Sequence, residues 1–208
     1  MKKTIFVILI VAILAISLTA CGGIGGGDAY GKLNEMIGYD YSTIKLEVAT
    51  TMNGITLTNK YTGVSASNST VVTYTVQTLA EVVENEDGSF SMPSEMIVTD
   101  RGSATVNNGK ITELNGKAEN IPVNEITSPS LNFNKTYFVS TVHTDNDGVK
   151  TIIGTILNDR IKDFTGNQNF DGKDMTFEVV YGESINSIVL NYTTNAGATV
   201  KVTYTFSK

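Results

Sequence analysis

From Ile44 to Phe206 apolar side chains return at every second position, and the runs they form are broken by Asn-Gly and Asp-Gly pairs. Ile44, Leu46 and Val48 alternate with Lys45 and Glu47; Val72, Tyr74 and Val76 alternate with Thr73, Thr75 and Gln77. The pattern is cleanest near the C-terminus, in Met175–Tyr181, Ile188–Tyr192 and Val200–Phe206. Side chains of a strand point alternately to its two faces, so this period makes a sheet with one apolar and one solvated side. Threonine on the second face keeps the strand while staying polar. Asn53-Gly54, Asn108-Gly109 and Asp147-Gly148 supply the positive φ of tight primed turns, and Asn195-Ala196-Gly197 joins the last pair of strands. Loops this short connect only antiparallel neighbours.

The expected architecture is therefore all-β and antiparallel, a curved sheet or half-barrel of about nine or ten strands with one or two short helices. A two-sheet sandwich or a closed barrel would write nearly the same string, and both stand as alternatives. Leu33, Met36 and Ile37 predict a helix over roughly Tyr30–Ile37, and Asn158–Phe164 a second helical segment. Pro122 and Pro129 mark the stretch between as irregular, since neither suits a central strand.

Ahead of this lies a different kind of segment. Lys2 and Lys3 precede an apolar run, Ile5 to Ile16, that ends in Ser17-Leu18-Thr19-Ala20-Cys21-Gly22. A basic start, an apolar stretch too short to span a bilayer and small residues before the cut describe an export signal. Leu18-Thr19-Ala20-Cys21 resembles the lipobox of bacterial lipoproteins. That resemblance implies cleavage before Cys21, a diacylglyceryl group on its sulphur, and attachment to the outward face of a membrane in the cell envelope. The expected organisation is residues 1–20 as signal, 21–28 as lipidated Cys and Gly-rich tether, and 29–208 as a single β domain. Cys21 is the sole cysteine, so no disulfide can form within the chain. A net charge of −6, lowered further when Lys2 and Lys3 leave, makes a nucleic-acid partner a poor expectation.

Catalytic chemistry is sparse. His143 is the sole histidine and sits beside Asp145 and Asp147. One histidine does not make a zinc site, and turn formation explains the Asx residues. Asn169–Asp174 lacks the spacing of a calcium loop. Gly63-Val64-Ser65-Ala66-Ser67 stops short of a nucleophile elbow. The chain is expected to be no enzyme and to carry no cofactor or metal, with a hydrolase using His143 as the remote alternative.

The succession of a short helix, a hairpin series and a covering segment at Asn158–Phe164 is similar to the LolA/LppX group of lipid and lipoprotein carriers. The similarity lies in the order of elements, with no motif to transfer, and it implies a curved sheet whose apolar face is covered by helices. The expectation is a tethered binding or carrier module for an apolar ligand, a lipid or acyl chain. Leu57, Tyr74, Val76, Phe177 and Val179 are its expected ligand-facing positions. The other reading is an envelope lipoprotein with a filled core and a protein partner.

Overall fold

The computed structural model describes residues 26–81, 83–84, 90–91, 95–117 and 121–208. The signal segment, Cys21 and the first part of the Gly-rich run lie outside the described residues. Helix α1 (Gly26–Ile37) leads into β1 (Thr43–Met52), β2 (Ile55–Ala66), β3 (Ser69–Leu79), and the short β4 (Val83–Glu84) and β5 (Phe90–Ser91). Then come β6 (Ile97–Asn107), β7 (Lys110–Asn115), helix α2 (Val123–Thr127), β8 (Phe138–Asn146), β9 (Val149–Ile156) and helix α3 (Ile161–Thr165). The chain closes with β10 (Lys173–Tyr181), β11 (Ile185–Thr193) and β12 (Thr199–Ser207).

Ten strands form one open antiparallel sheet in the order β7-β6-β3-β2-β1-β12-β11-β10-β9-β8, and β4 pairs with β5 apart from it. The sheet is curved and does not close, so of the three architectures the alternation allowed, this is the first. Asn53-Gly54, Asn108-Gly109 and Asp147-Gly148 all carry positive φ, between 48° and 86°, at the β1–β2, β6–β7 and β8–β9 turns. Gly197 does the same between β11 and β12.

The strand order has a consequence for the chain path. Antiparallel pairings step the first half outward from β1 to the edge strand β7, and the second half returns inward from the opposite edge strand β8 to β12. The chain between them must therefore pass from one edge to the other, and residues 121–137 lie across the apolar face. Ile121, Ile126 and Phe133 on this crossover are buried in the same core cluster as the strand residues. Ile126 is seated on β2, where a Cβ on Gly63 would lie 2.5 Å from its Cγ2. Glycine at that position lets the helix come flush with the sheet.

A second anchor is polar. The Asn34 side chain donates to the Phe133 carbonyl (3.0 Å) and accepts from the Phe133 N–H (2.8 Å), so α1 holds the crossover as a strand would hold its neighbour. Helix α1 begins at Gly26, earlier than the sequence suggests, and so takes in the last residues read as tether. Tertiary burial of Tyr30, Leu33 and Met36 overrides the poor helix propensity of its glycines, and Gly31 faces open space. Tyr41 ties the helix end to the sheet, its hydroxyl donating to the Met36 carbonyl (2.8 Å) and accepting from the Ile185 N–H (3.2 Å). Among the described residues one core cluster runs from Tyr30 to Phe206.

Replacing Asn34 by Ala would strand the Phe133 N–H and C=O beneath the helix. The expected loss is about 1–3 kcal/mol of unfolding free energy in urea denaturation. Asn34→Asp should recover part of it, because a carboxylate still accepts the Phe133 N–H.

Candidate ligand cavity

The covered face of the sheet is filled at one side and hollow at the other. Over β8, β9 and β10 the rings of Phe133, Phe138, Phe164 and Phe177 meet edge-on or tilted, with centroids 4.8–6.3 Å apart. Phe177 fits because its neighbour across the ladder is Gly154, where a Cβ would come within 2.6 Å of the ring. Helix α3 supplies Phe164 and Ile161 to this plug, both fully buried. The segment read as a covering element is thus packed into the core. Asn132 N–H donates to the Phe164 carbonyl (2.8 Å), which joins α3 to the crossover.

Over β1, β2, β11 and β12 the cover stands away from the sheet and leaves a cavity of about 780 Å³. Cross-strand register explains its floor. One row runs Ile188–Tyr204–Leu46–Tyr61–Tyr74, and the next runs Phe177–Leu190–Val202–Val48–Asn59. The central members of both rows line the cavity, together with Tyr192. Its walls are Pro122–Leu131 from the crossover and Thr165–Asp171, the loop that follows α3. Gly166, left-handed at φ 66°, ends that helix and turns the chain into the loop. The loop is pinned by the Asn169 N–H donating to Asn167 Oδ1 (2.9 Å) and by the Asn195 amide donating to the Asp171 carboxylate.

The five positions expected from the alternation lie around this cavity and not in its lining. Tyr74 and Phe177 end the two floor rows, and Val179 is one strand beyond Ile188 in register. Phe177 and Val179 are fully buried, and the Tyr74 hydroxyl donates to the Asn115 carbonyl (3.3 Å). Leu57 and Val76 are half-buried on the same face, farther along β2 and β3. Alternation selects a face but is blind to which strands the cover touches. The lining residues missed in this way, Leu46, Leu190, Val202 and Tyr204, carry the same period-two signal as those chosen. Nothing local distinguishes them.

Chemically the cavity is two-toned. Leu46, Val48, Leu190 and Val202 make an apolar floor, joined by the rings of Tyr61, Tyr192, Tyr204 and Phe170. Asn124, Glu125, Ser128, Ser130, Asn167, Gln168, Asn169 and Asp171 make a polar rim, and no Lys, Arg or His is among the described residues that line it. Burial raises the pKa of Tyr61. It raises that of Tyr192 with help from the Asp171 carboxylate, and that of Tyr204 far above the usual phenol range with help from Glu125. Burial thus favours the neutral phenol in all three.

The histidine lies elsewhere. His143 Nε2 is 3.0 Å from the Tyr30 hydroxyl, which also donates to Thr141 Oγ1 (3.0 Å), and desolvation lowers the imidazole pKa. Asp145 Oδ1 accepts the Gly148 N–H (3.2 Å), which is turn chemistry. Among the described residues no three His, Cys, Asp or Glu side chains are grouped to hold a metal ion. No described helix is long and apolar enough to cross a membrane.

No protein-family model matches the chain, and no curated protein matches it. Among solved structures, a DUF1329 family protein from Desulfovibrio piger aligns over 86% of this chain and 89% of that one, at 6% identity and a TM-score of 0.26. At that score the likeness carries no argument, and the reading of the site rests on its own geometry.

The Tyr204 environment gives a pH test. The native state holds the phenol proton more tightly than the unfolded chain, so this contribution to stability is complete below the ordinary phenol pKa. It is lost as pH rises past about 10 toward the native value. Urea denaturation at a series of pH values should show wild type losing more stability above pH ~10 than Tyr204→Phe. Identical slopes for the two proteins would mean the hydroxyl is not shielded.

Proposed function

We propose that the protein is a membrane-tethered, non-catalytic carrier that shelters the apolar part of a small amphiphile between β1, β2, β11, β12 and the crossover. The observation that carries this reading is the cavity itself. At about 780 Å³ it falls within the range typical of small-molecule sites, and it combines an apolar floor with a few convergent polar groups. The neighbouring aromatic plug, filled to a tight core, supports the view that the hollow is local and not general looseness of the fold. The described side chains that face it include neutral tyrosines and no histidine or cysteine, which favours binding over catalysis.

The tether reading rests on Leu18-Thr19-Ala20-Cys21 behind its apolar run. A dually acylated Cys21 would hold the protein stably, since each buried CH₂ contributes about 0.8 kcal/mol. From Cys21 to Gly26 the backbone can reach at most roughly 18 Å. That reach would keep the start of α1 near the bilayer, the source from which an amphiphile would come. Intact-mass analysis of the membrane fraction should find a chain that begins at Cys21 and carries acyl groups, and Cys21→Ala should release the protein or leave it unprocessed. An unmodified Cys21 would remove the tether from the proposal.

The carrier reading is tested with residues 22–208, the chain that follows the proposed lipid-bearing Cys21. Native mass spectrometry should find an amphiphile co-purified at unit stoichiometry. Val48→Trp fills the cavity from its floor and should weaken binding of Nile red, a neutral apolar fluorophore, by about tenfold or more. Any loss of stability should stay near the 1–3 kcal/mol of overpacking. A ligand-free wild type that ignores Nile red would favour the other reading, an envelope protein whose sheet serves only as scaffold for a protein partner.

A further inference from the structure

The polar end of the cavity has a sign. Two carboxylates stand on its rim from different walls, Glu125 on α2 and Asp171 on the loop after α3, with no basic side chain among the described residues that line it. The Asn195 amide that donates to Asp171 satisfies a lone pair but leaves the charge in place. Beneath the rim, Tyr61 and Tyr204 are each only 6% exposed and line the cavity, yet neither hydroxyl has a hydrogen-bond partner among the described residues. Neither is sealed from solvent, since no buried side-chain polar atom among the described residues lacks a partner. A buried phenol ordinarily finds a partner within its own protein. Here two of them present hydroxyls, and with Tyr192 and Phe170 aromatic faces, to whatever enters. The carboxylates and ring faces attract cations, and the carboxylates repel anions; the neutral phenols, which both donate and accept, add hydrogen-bonding capacity without a sign of their own.

We infer that the cavity selects amphiphiles whose polar end is a cation, a primary amine or a quaternary ammonium, and excludes those with anionic heads. This rests on the carrier reading above and narrows it. The alkyl chain would lie on Leu46, Val48, Leu190 and Val202, with the head turned to the rim. A phosphate or carboxylate head in that place would meet Glu125 and Asp171 with no cation to neutralise it.

Three submicellar probes with one chain length separate the possibilities: decyltrimethylammonium, decyl maltoside and decyl sulfate, titrated calorimetrically into residues 22–208. The ammonium probe should bind about tenfold more tightly than the maltoside, and the sulfate more weakly than either, with the spread shrinking as salt is raised. The double variant Glu125→Gln, Asp171→Asn should bring the ammonium and maltoside affinities to within about twofold. Glu178→Gln, which removes an exposed carboxylate on the outer face of β10, should leave the preference intact and so exclude a general effect of the protein's negative charge. Equal binding of all three probes, or a preference that survives the double variant, would overturn the inference and leave the carrier reading standing. Failure of every probe to bind would overturn the carrier reading and the inference with it.

Discussion

An open sheet with one apolar face is unstable until something covers that face, and in this protein the cover is the connection between its own two edge strands. Because β1 pairs with β12 at the centre, the halves of the chain grow outward and return from opposite edges. The segment that links β7 to β8 has nowhere to go but across. Three contacts decide how it lies: Ile126 against Gly63, the paired hydrogen bonds of Asn34 with Phe133, and the ring of Phe133 against Phe164 and Phe177. Each fixes one part of the crossover, and the space they do not fill is the cavity.

That arrangement accounts for the uneven core. Aromatic rings are large and prefer edge-to-face or offset meetings, so four phenylalanines converging over β8–β10 make a solid mass that α3 completes. Toward β1 and β2 the cover offers instead a five-residue helix with one buried residue, Ile126, followed by serines and a proline. Small polar side chains cannot reach the floor from that height. The strand residues below them keep apolar surface, and the chain places amides and carboxylates around its margin. The outer face follows other rules: it carries Thr, Lys and Glu in register, with Glu47 and Lys60 as an exposed cross-strand ion pair at 3.1 Å. Such a pair adds little to stability, and its place is consistent with a face turned to water.

The strands and their turns were legible because both depend on neighbours in sequence. Period two places Leu46 and Tyr204 on one face whatever lies opposite, and Asn53-Gly54 or Asn108-Gly109 adopts positive φ for reasons internal to the pair. Orientation of the apolar face was legible on the same ground. So was the absence of a strand around Pro122, although the sequence says nothing of the work that stretch does. By itself, then, the chain determined antiparallel strands, their approximate number, their hairpins and their two-faced character. Only the tertiary structure decided that the sheet stays open, that residues 121–137 cross it, and that Asn34 meets Phe133 ninety-nine residues away. It also decided which members of equivalent floor rows see a cavity and which see a phenylalanine. Phe177 and Leu190 are opposite each other in register and alike in pattern, and only the height of the segment above them makes one a core residue and the other a lining residue. Long-range packing sets that height, and it leaves no mark on the local alternation of the strands beneath it.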